Sequence, residues 1–357
     1  MLGLVMIVKD EAGGIAATLA SIKPFIDRWT ILDTGSTDGT QDIIRRELAD
    51  VPGGLIEEPF IDFSTTRNRV LELHGTLTRF VIMLSGDDIV VGGQSIRFHL
   101  QASHATGFML GRRTGSDVYQ QMVVIKTGAG WRYTGRTHEV LGGGGVAGRA
   151  PETIEASIVR HGVEDKRARW DADLSLLALD LIEDPNNSRS AFYLAQTYEC
   201  LGLMDRALVA YERRIAMPGW HEETYEAMYR RARVMGLLGL PWTDVQQAYL
   251  GAHAFDPRRA EPLYKIAQHY HAEDNHAIAY LFASNAAELP LPDTAMFVDV
   301  EVYEWKAADL CAIHAFYLAD ASAREHGRRA ADRALEARPA DLRLRANRAF
   351  YVPSGSS

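Results

Sequence analysis

A chain of 357 residues is too long for one ordinary domain, and two is its natural division. Its 47% hydrophobic and 24% charged residues are those of a folded globular protein, which excludes disorder as the main state. With 38 Lys and Arg against 47 Asp and Glu, the net charge of −9 argues against the dense basic surface that nucleic acid needs from a principal partner.

The first half alternates short apolar runs with helical spacing. Leu4 to Val8, Trp29 to Leu32 and Phe80 to Leu84 read as buried strands. Each runs into a polar turn: Lys9-Asp10-Glu11, Asp33-Thr34-Gly35-Ser36, and Ser85-Gly86-Asp87-Asp88. Ile15 to Ile22 and Thr40 to Leu48 carry helical spacing, the second with cap-type Thr37, Asp38 and Thr40 at its start. Strand–helix–strand alternation predicts a mostly parallel sheet covered by helices, with the ligand crevice beyond the carboxyl ends of the strands. All three polar turns fall at those ends. Further along, Met122 to Ile125, Trp131 to Tyr133 and Ile158 to Gly162 read as strands, and Gly142 to Gly145 as a flexible turn.

The opening Met1 to Val8 has no basic flank and meets Lys9 at once, so it reads as a first strand rather than a leader. No stretch approaches the roughly 20 apolar residues of a membrane span. Cys200 and Cys311 are too few for a disulfide framework or a cysteine zinc site. The expectation is a soluble, cytoplasmic protein.

From Lys166 the chain reads helical and repeats itself. Ala195, Ala232 and Ala267 stand 37 and 35 residues apart, close to the tetratricopeptide period of roughly 34. Tyr211 and Tyr249 follow the first two anchors and Ala279 the third; Ala315, Ala334 and Pro339 suggest a degenerate fourth copy. Such units stack to bury their faces. The expected division is therefore 1–165, an α/β domain; 166–352, a tetratricopeptide-like helical domain; and 353–357, a disordered tail.

Four strings stand in order at strand–helix–strand spacing: Val8 to Ala12, Asp33 to Thr40, Asp62 to Asn68, and Leu84 to Asp88. Together with Trp131 to Glu139 and Ile158 to Gly162 they resemble the family 2 glycosyltransferases of GT-A fold, and more narrowly the members joined to tetratricopeptide repeats. The resemblance implies an inverting enzyme that takes a sugar from a UDP-type donor. It assigns the nucleoside to Lys9, Asp10 and Glu11, the base to Asp33, and the nucleotide to Arg67.

The metal, manganese or magnesium, is expected on Asp87, with His161 a candidate further ligand. Family members carry Asp-x-Asp where this chain has Ser85-Gly86-Asp87, so the first carboxylate is missing and Ser85 is left to hydrogen-bond ribose or sugar. Inversion needs a base for the acceptor's proton. Glu139 is the candidate, with an ion pair to Arg136 or Arg132 as the competing reading; His138 would orient acceptor or diphosphate.

The repeats suit a protein or peptide acceptor, with Trp220, Tyr225, Tyr229, Tyr264 and Tyr270 as candidate contacts or, alternatively, core residues; they suit a homodimer interface equally. Two alternatives stand beside this. One replaces the acceptor with a lipid-linked or cell-surface polysaccharide sugar. The other is a catalytically inactive, repeat-based binding protein, for which Ser85 is the best support.

Overall fold

In a computed structural model of the chain, the described residues are 1–114, 117–151, 154–158, 166–294 and 296–351. Contacts divide the chain into two compact units, Met1–Leu201 and Gly202–Ser357. The division does not coincide with the composition shift near residue 165, because the first two helices after the shift belong with the α/β unit.

That first unit runs β1 (Leu2–Val8), α1 (Ile15–Ile22), β2 (Arg28–Asp33), α2 (Thr40–Glu47), β3 (Gly53–Glu57), α3 (Phe63–His74), β4 (Phe80–Leu84), β5 (Asp88–Val91), α4 (Ile96–Ala102), β6 (Gly107–Thr114), β7 (Asp117–Lys126), β8 (Arg132–Thr134), β9 (Val140–Gly142), β10 (Ala147–Arg149), β11 (Glu155–Ile158), α5 (Lys166–Glu183) and α6 (Ser188–Cys200). The main sheet has the order β3-β2-β1-β4-β7-β6-β11-β5, with β10 beside β6. Its β3-β2-β1-β4 half is parallel, whereas β7 lies antiparallel to β4 and β6, and β5 antiparallel to β11. The expected mostly parallel sheet is thus a mixed one. Connections such as the one from β6 to β7 are too short for the helical crossover a parallel pair requires.

The unbroken apolar runs of the central strands follow from burial on both faces. Leu2, Leu4, Met6 and Val8 of β1 join Ile15, Leu19 and Ile22 of α1 in one cluster. The alternate residues Val5 and Ile7 join Val70, Leu71 and Leu73 of α3 in another. The parallel half therefore projects its carboxyl ends on a rigid base. The glycine run expected as a turn closes β9 at Gly142 and turns beside Trp131. A Cβ on Gly144 would lie 2.1 Å from the Trp131 ring, whose Nε1 donates to the Thr106 carbonyl at 2.8 Å. Of the strand expected at Ile158 to Gly162, Ile158 closes β11, and residues 159–162 lie outside the described residues, as do 353–357.

The second unit is built of helices: α7 (Met204–Ile215), α8 (His221–Leu237), α9 (Trp242–Phe255), α10 (Glu261–Ala272), α11 (His276–Ala287), α12 (Ala307–Phe316), α13 (Ala321–Ala337) and α14 (Leu342–Ala349). Each packs on the next, and turns of a few residues join α8 to α9, α10 to α11 and α12 to α13. The repeat anchors occupy equivalent places. Ala195, Ala232 and Ala267 sit in α6, α8 and α10, all fully buried; Tyr211, Tyr249 and Ala279 are buried in α7, α9 and α11. Ala315 and Ala334, the marks of the degenerate copy, are buried in α12 and α13. Among the described residues no helix is long and apolar enough to cross a membrane.

Candidate functional site

The loops after β1 and β2 are stitched to each other. Asp10 N donates to Ser36 Oγ at 2.9 Å, Glu11 N to Thr40 Oγ1 at 2.7 Å, and Ala12 N to Asp38 Oδ2 at 2.9 Å. In return Thr37 N donates to Asp10 Oδ1 at 2.8 Å. This is why the second loop is so rich in Ser, Thr and Asp: its side chains accept from backbone groups that no strand or helix satisfies. Lys9 and Asp10 are exposed at the rim, and Asp10 holds a left-handed φ of 53°.

Asp33 closes β2 and is fully buried. Its Oδ1 accepts from Gly35 N and Ser36 N, both at 2.8 Å. Its Oδ2 is buried without an aligned hydrogen bond among the described residues, although the Gln41 side chain lies near enough to help lower this carboxyl. Burial works to raise this carboxyl, but the bonds from Ser36 and Gly35 outweigh it and hold the group below the ordinary aspartate range.

The turn after β4 meets the same loops. Thr18 Oγ1 donates to the Gly86 carbonyl at 2.6 Å, and a Cβ on Gly86 would stand 2.4 Å from Glu11 Cδ. Position 86 therefore has to be glycine for the Glu11 side chain to lie against the turn. Asp88 is buried, accepts from Ser85 N at 2.7 Å through Oδ2, and pairs through Oδ1 with the buried Arg112 of β6. Arg112 is not apparent from the sequence, since nothing local ties β6 to that turn.

Arg67 and Glu139 form an ion pair. Arg67 Nε lies 2.5 Å from Glu139 Oε1, with the side chains only 14% and 11% exposed. The Arg67 guanidinium sits over the Tyr133 ring, 5.6 Å from its centroid. Burial works against its charge, yet Glu139, Tyr133 and Asp88 together keep its proton bound more firmly than usual. The partners expected for Glu139 are engaged elsewhere: Arg136 bonds Asp180 and Glu183 of α5, and Arg132 bonds Glu72.

The segment carrying Glu139 is clamped from two sides. Asn68 of α3 bonds both the N–H and the carbonyl of Tyr133, at 2.8 and 2.9 Å. Thr137 Oγ1 donates to Asp173 Oδ1 at 2.7 Å, and Arg189 Nε donates to the His138 carbonyl at 3.0 Å. His138 has a left-handed φ of 49°, and its ring stacks on Tyr193 with centroids 4.0 Å apart. Burial pushes this imidazole down to about 4, so it is neutral at pH 7. Its ring and carbonyl contacts brace the segment that carries Glu139.

The structure thus links the Asp33 loop, the Lys9–Glu11 loop and the Ser85–Asp88 turn by direct contact, and puts Arg67, the partner of Glu139, within electrostatic reach of Asp88. His161 lies outside the described residues. Among the described residues, no three His, Cys, Asp or Glu side chains gather as metal ligands. Asp88, next to Asp87 on this turn, is held by Arg112 and by Ser85 N.

In the second unit a groove of about 650 Å³ runs between α7, α8 and α9, lined by Met228, Met235 and Ala248 together with Glu212, Arg231 and Asp244. Of the aromatics considered for peptide contact, Tyr225 and Tyr264 are buried, Tyr229 and Tyr270 half-buried, and Trp220 is 43% exposed. Core packing claims most of that set.

No family model matches the chain, and no curated protein does. Among solved structures, MamA is 16% identical, with 51% of this chain and 97% of that one covered and a TM-score of 0.36. A thermophilic TPR protein of Thermus thermophilus is 23% identical, covering 52% and 91%, with a TM-score of 0.30. YrrB, described as a TPR protein with an unusual peptide-binding site, is 14% identical, covering 50% and 82%, at 0.35. Likenesses at such scores decide nothing; the helix-pair architecture rests on this chain's own packing.

Proposed function

We propose that the chain is a polypeptide-binding repeat protein whose α/β unit takes a nucleoside-diphosphate sugar at the carboxyl ends of β1, β2 and β4. The observation that carries the nucleotide half is Asp33: a buried carboxylate at a strand end, with one oxygen satisfied and the other without an aligned hydrogen bond among the described residues. Such an acceptor suits the N–H of a pyrimidine base, because leaving it unmet costs about 1–3 kcal/mol. The parallel β3-β2-β1-β4 half followed by antiparallel β7 supports the GT-A reading of the resemblance. The polypeptide half is supported by the groove between α7, α8 and α9, whose lining mixes apolar and charged side chains.

In its full form the function is inverting sugar transfer from a UDP-type donor to the bound polypeptide. If a divalent ion accompanies the diphosphate, Asp87 is the residue that would hold it, and the ion would supply neutralising charge at the leaving group. The second reading keeps both binding sites without turnover. It is favoured by Ser85 where a carboxylate is usual, and by Asp88 and Glu139 each being held by an arginine.

Thermal melts with UDP and manganese test the shared part. UDP is expected to raise the Tm of the wild-type chain and to leave that of Asp33→Asn unmoved, since an amide nitrogen cannot accept from the base. A wild-type Tm indifferent to UDP would refute the nucleotide site. Hydrolysis of UDP-sugars, with Asp87→Ala as control, then separates enzyme from silent binder.

A further inference from the structure

We propose that Arg67 and Glu139 are a donor-operated latch: an incoming diphosphate draws Arg67 away from Glu139, and only then is Glu139 free to accept a proton. This rests on the reading of the α/β unit as a nucleoside-diphosphate site, and it concerns how the two groups act on each other.

The geometry of the pair carries the inference. Both side chains are nearly buried, and each has the other as its charged partner. Yet Arg67 Nε, close as it is to Glu139 Oε1, is a buried donor without an aligned hydrogen bond, and Glu139 is the one carboxylate in ion-pair contact with this guanidinium among the described residues. An arginine fork has five N–H donors, matched in shape to paired anionic oxygens. Holding such a group against one carboxylate and a tyrosine ring leaves most of that capacity unused. Structural arginines elsewhere in the same unit contrast with it: Arg136 places donors on both Asp180 and Glu183, and Arg112 bonds Asp88 and Gln121. Arg67 is poised rather than satisfied.

Its location fits the ligand. It stands on α3 in the field of Asp88, adjacent in sequence to Asp87 and on the turn that meets the Asp33 loop system. A diphosphate reaching from a base at Asp33 toward that turn would bring more negative charge to Arg67 than Glu139 offers. Breaking a buried pair leaves a buried carboxylate without its cation, the condition that makes a carboxylate a stronger base.

The clamp on the Glu139 backbone through His138 and Thr137 keeps it in position while its partner turns. In a transfer step the acceptor heteroatom bonds to the anomeric carbon and its proton passes to Glu139. The bond from that carbon to the diphosphate oxygen breaks, its electron pair staying on the diphosphate held by Arg67. Order is built in, because the base is quenched until the donor is bound.

The test compares UDP and uridine binding by calorimetry, in magnesium, to the full chain and to Glu139→Gln, which keeps the shape and removes the competing charge. Glu139→Gln is expected to bind UDP roughly tenfold more tightly than wild type, a coupling of about 1.4 kcal/mol, while uridine affinity stays unchanged because it has no diphosphate. Equal UDP affinities in the two proteins would overturn the latch and leave the nucleotide site standing. Absence of UDP and uridine binding from both would overturn the site and the latch together. A folded Arg67→Met/Glu139→Gln double variant, lacking both charges, is expected to lose the UDP gain and keep uridine; if it retained the gain, Arg67 would not be the group released.

Discussion

Two buried ion pairs in the α/β unit show how differently the same chemistry is used. Arg112 and Asp88 are both almost wholly enclosed, and each has a further bond, to Gln121 and to Ser85 N respectively. Such a pair gives little net stability over apolar residues of like volume, but losing one member leaves an enclosed charge. Arg112→Leu is therefore expected to lower unfolding stability by about 3–5 kcal/mol, and Asp88→Ala by a similar amount. The double variant should cost clearly less than the two losses added. Urea titrations of the four proteins check this, and simple additivity would mean the pair does not hold the turn. How much of this is legible depends on sequence distance. Asp33 can be read because a strand end and its following turn are local. Glu139 can be read as charged and paired, but nearness in sequence points to Arg132 and Arg136, and the actual partner arrives from α3. Arg112 leaves no local trace at all.

Elements are legible where one period dominates. The runs at Leu4 to Val8, Trp29 to Leu32 and Phe80 to Leu84 form β1, β2 and β4, because two-sided burial demands continuous apolar side chains. By contrast β3, Gly-Gly-Leu-Ile-Glu at the sheet's edge, is only partly buried and carries no such signal. In the helical half, small residues speak most clearly. Ala232 and Ala267 are fully enclosed where neighbouring helices meet, so no side chain larger than a methyl fits. Ala267→Leu is expected to cost about 1–3 kcal/mol by overpacking, whereas Ala272→Leu, at the exposed end of the same helix α10, should be near neutral. Chemical denaturation distinguishes the two; equal effects would mean that α10 does not turn its anchor into the stack.

For the whole molecule, three histidines set a common acid limit on two separate units. His74, in the first, lies between Thr30 and Thr78; Thr78 Oγ1 donates to the Phe80 carbonyl, so it accepts from His74 Nε2, and Nδ1 is left to accept from Thr30. Burial, assisted by Arg28, pushes His74 down to about 4, and burial likewise holds His138 at about 4.

His314, in the second unit, is fully enclosed with a ring nitrogen 3.0 Å from His271 Nδ1 and the other 3.0 Å from His276 Nδ1. Burial and those two neighbours bring it to about 4, against the opposing pull of Asp274. An imidazole with a neighbour on each nitrogen donates once and accepts once, so the triad stays intact only while it is short of protons.

The sign then follows. Unfolded histidine takes its proton near about 6.5 and these folded ones near about 4, so between those values the unfolded chain binds more protons. Stability is complete above about pH 6.5 and is lost as pH falls toward 4, by up to about 3 kcal/mol for each fully enclosed ring and less for the 28%-exposed His138. Melts between about pH 7.5 and 4.5 should therefore show Tm falling in both units, with the fall steepening below about 6.5. In His74→Gln the amide can reproduce both threonine bonds without titrating, so the first unit's slope should flatten while the second's persists. A wild-type Tm level across that range would show that these rings take up protons as readily folded as unfolded.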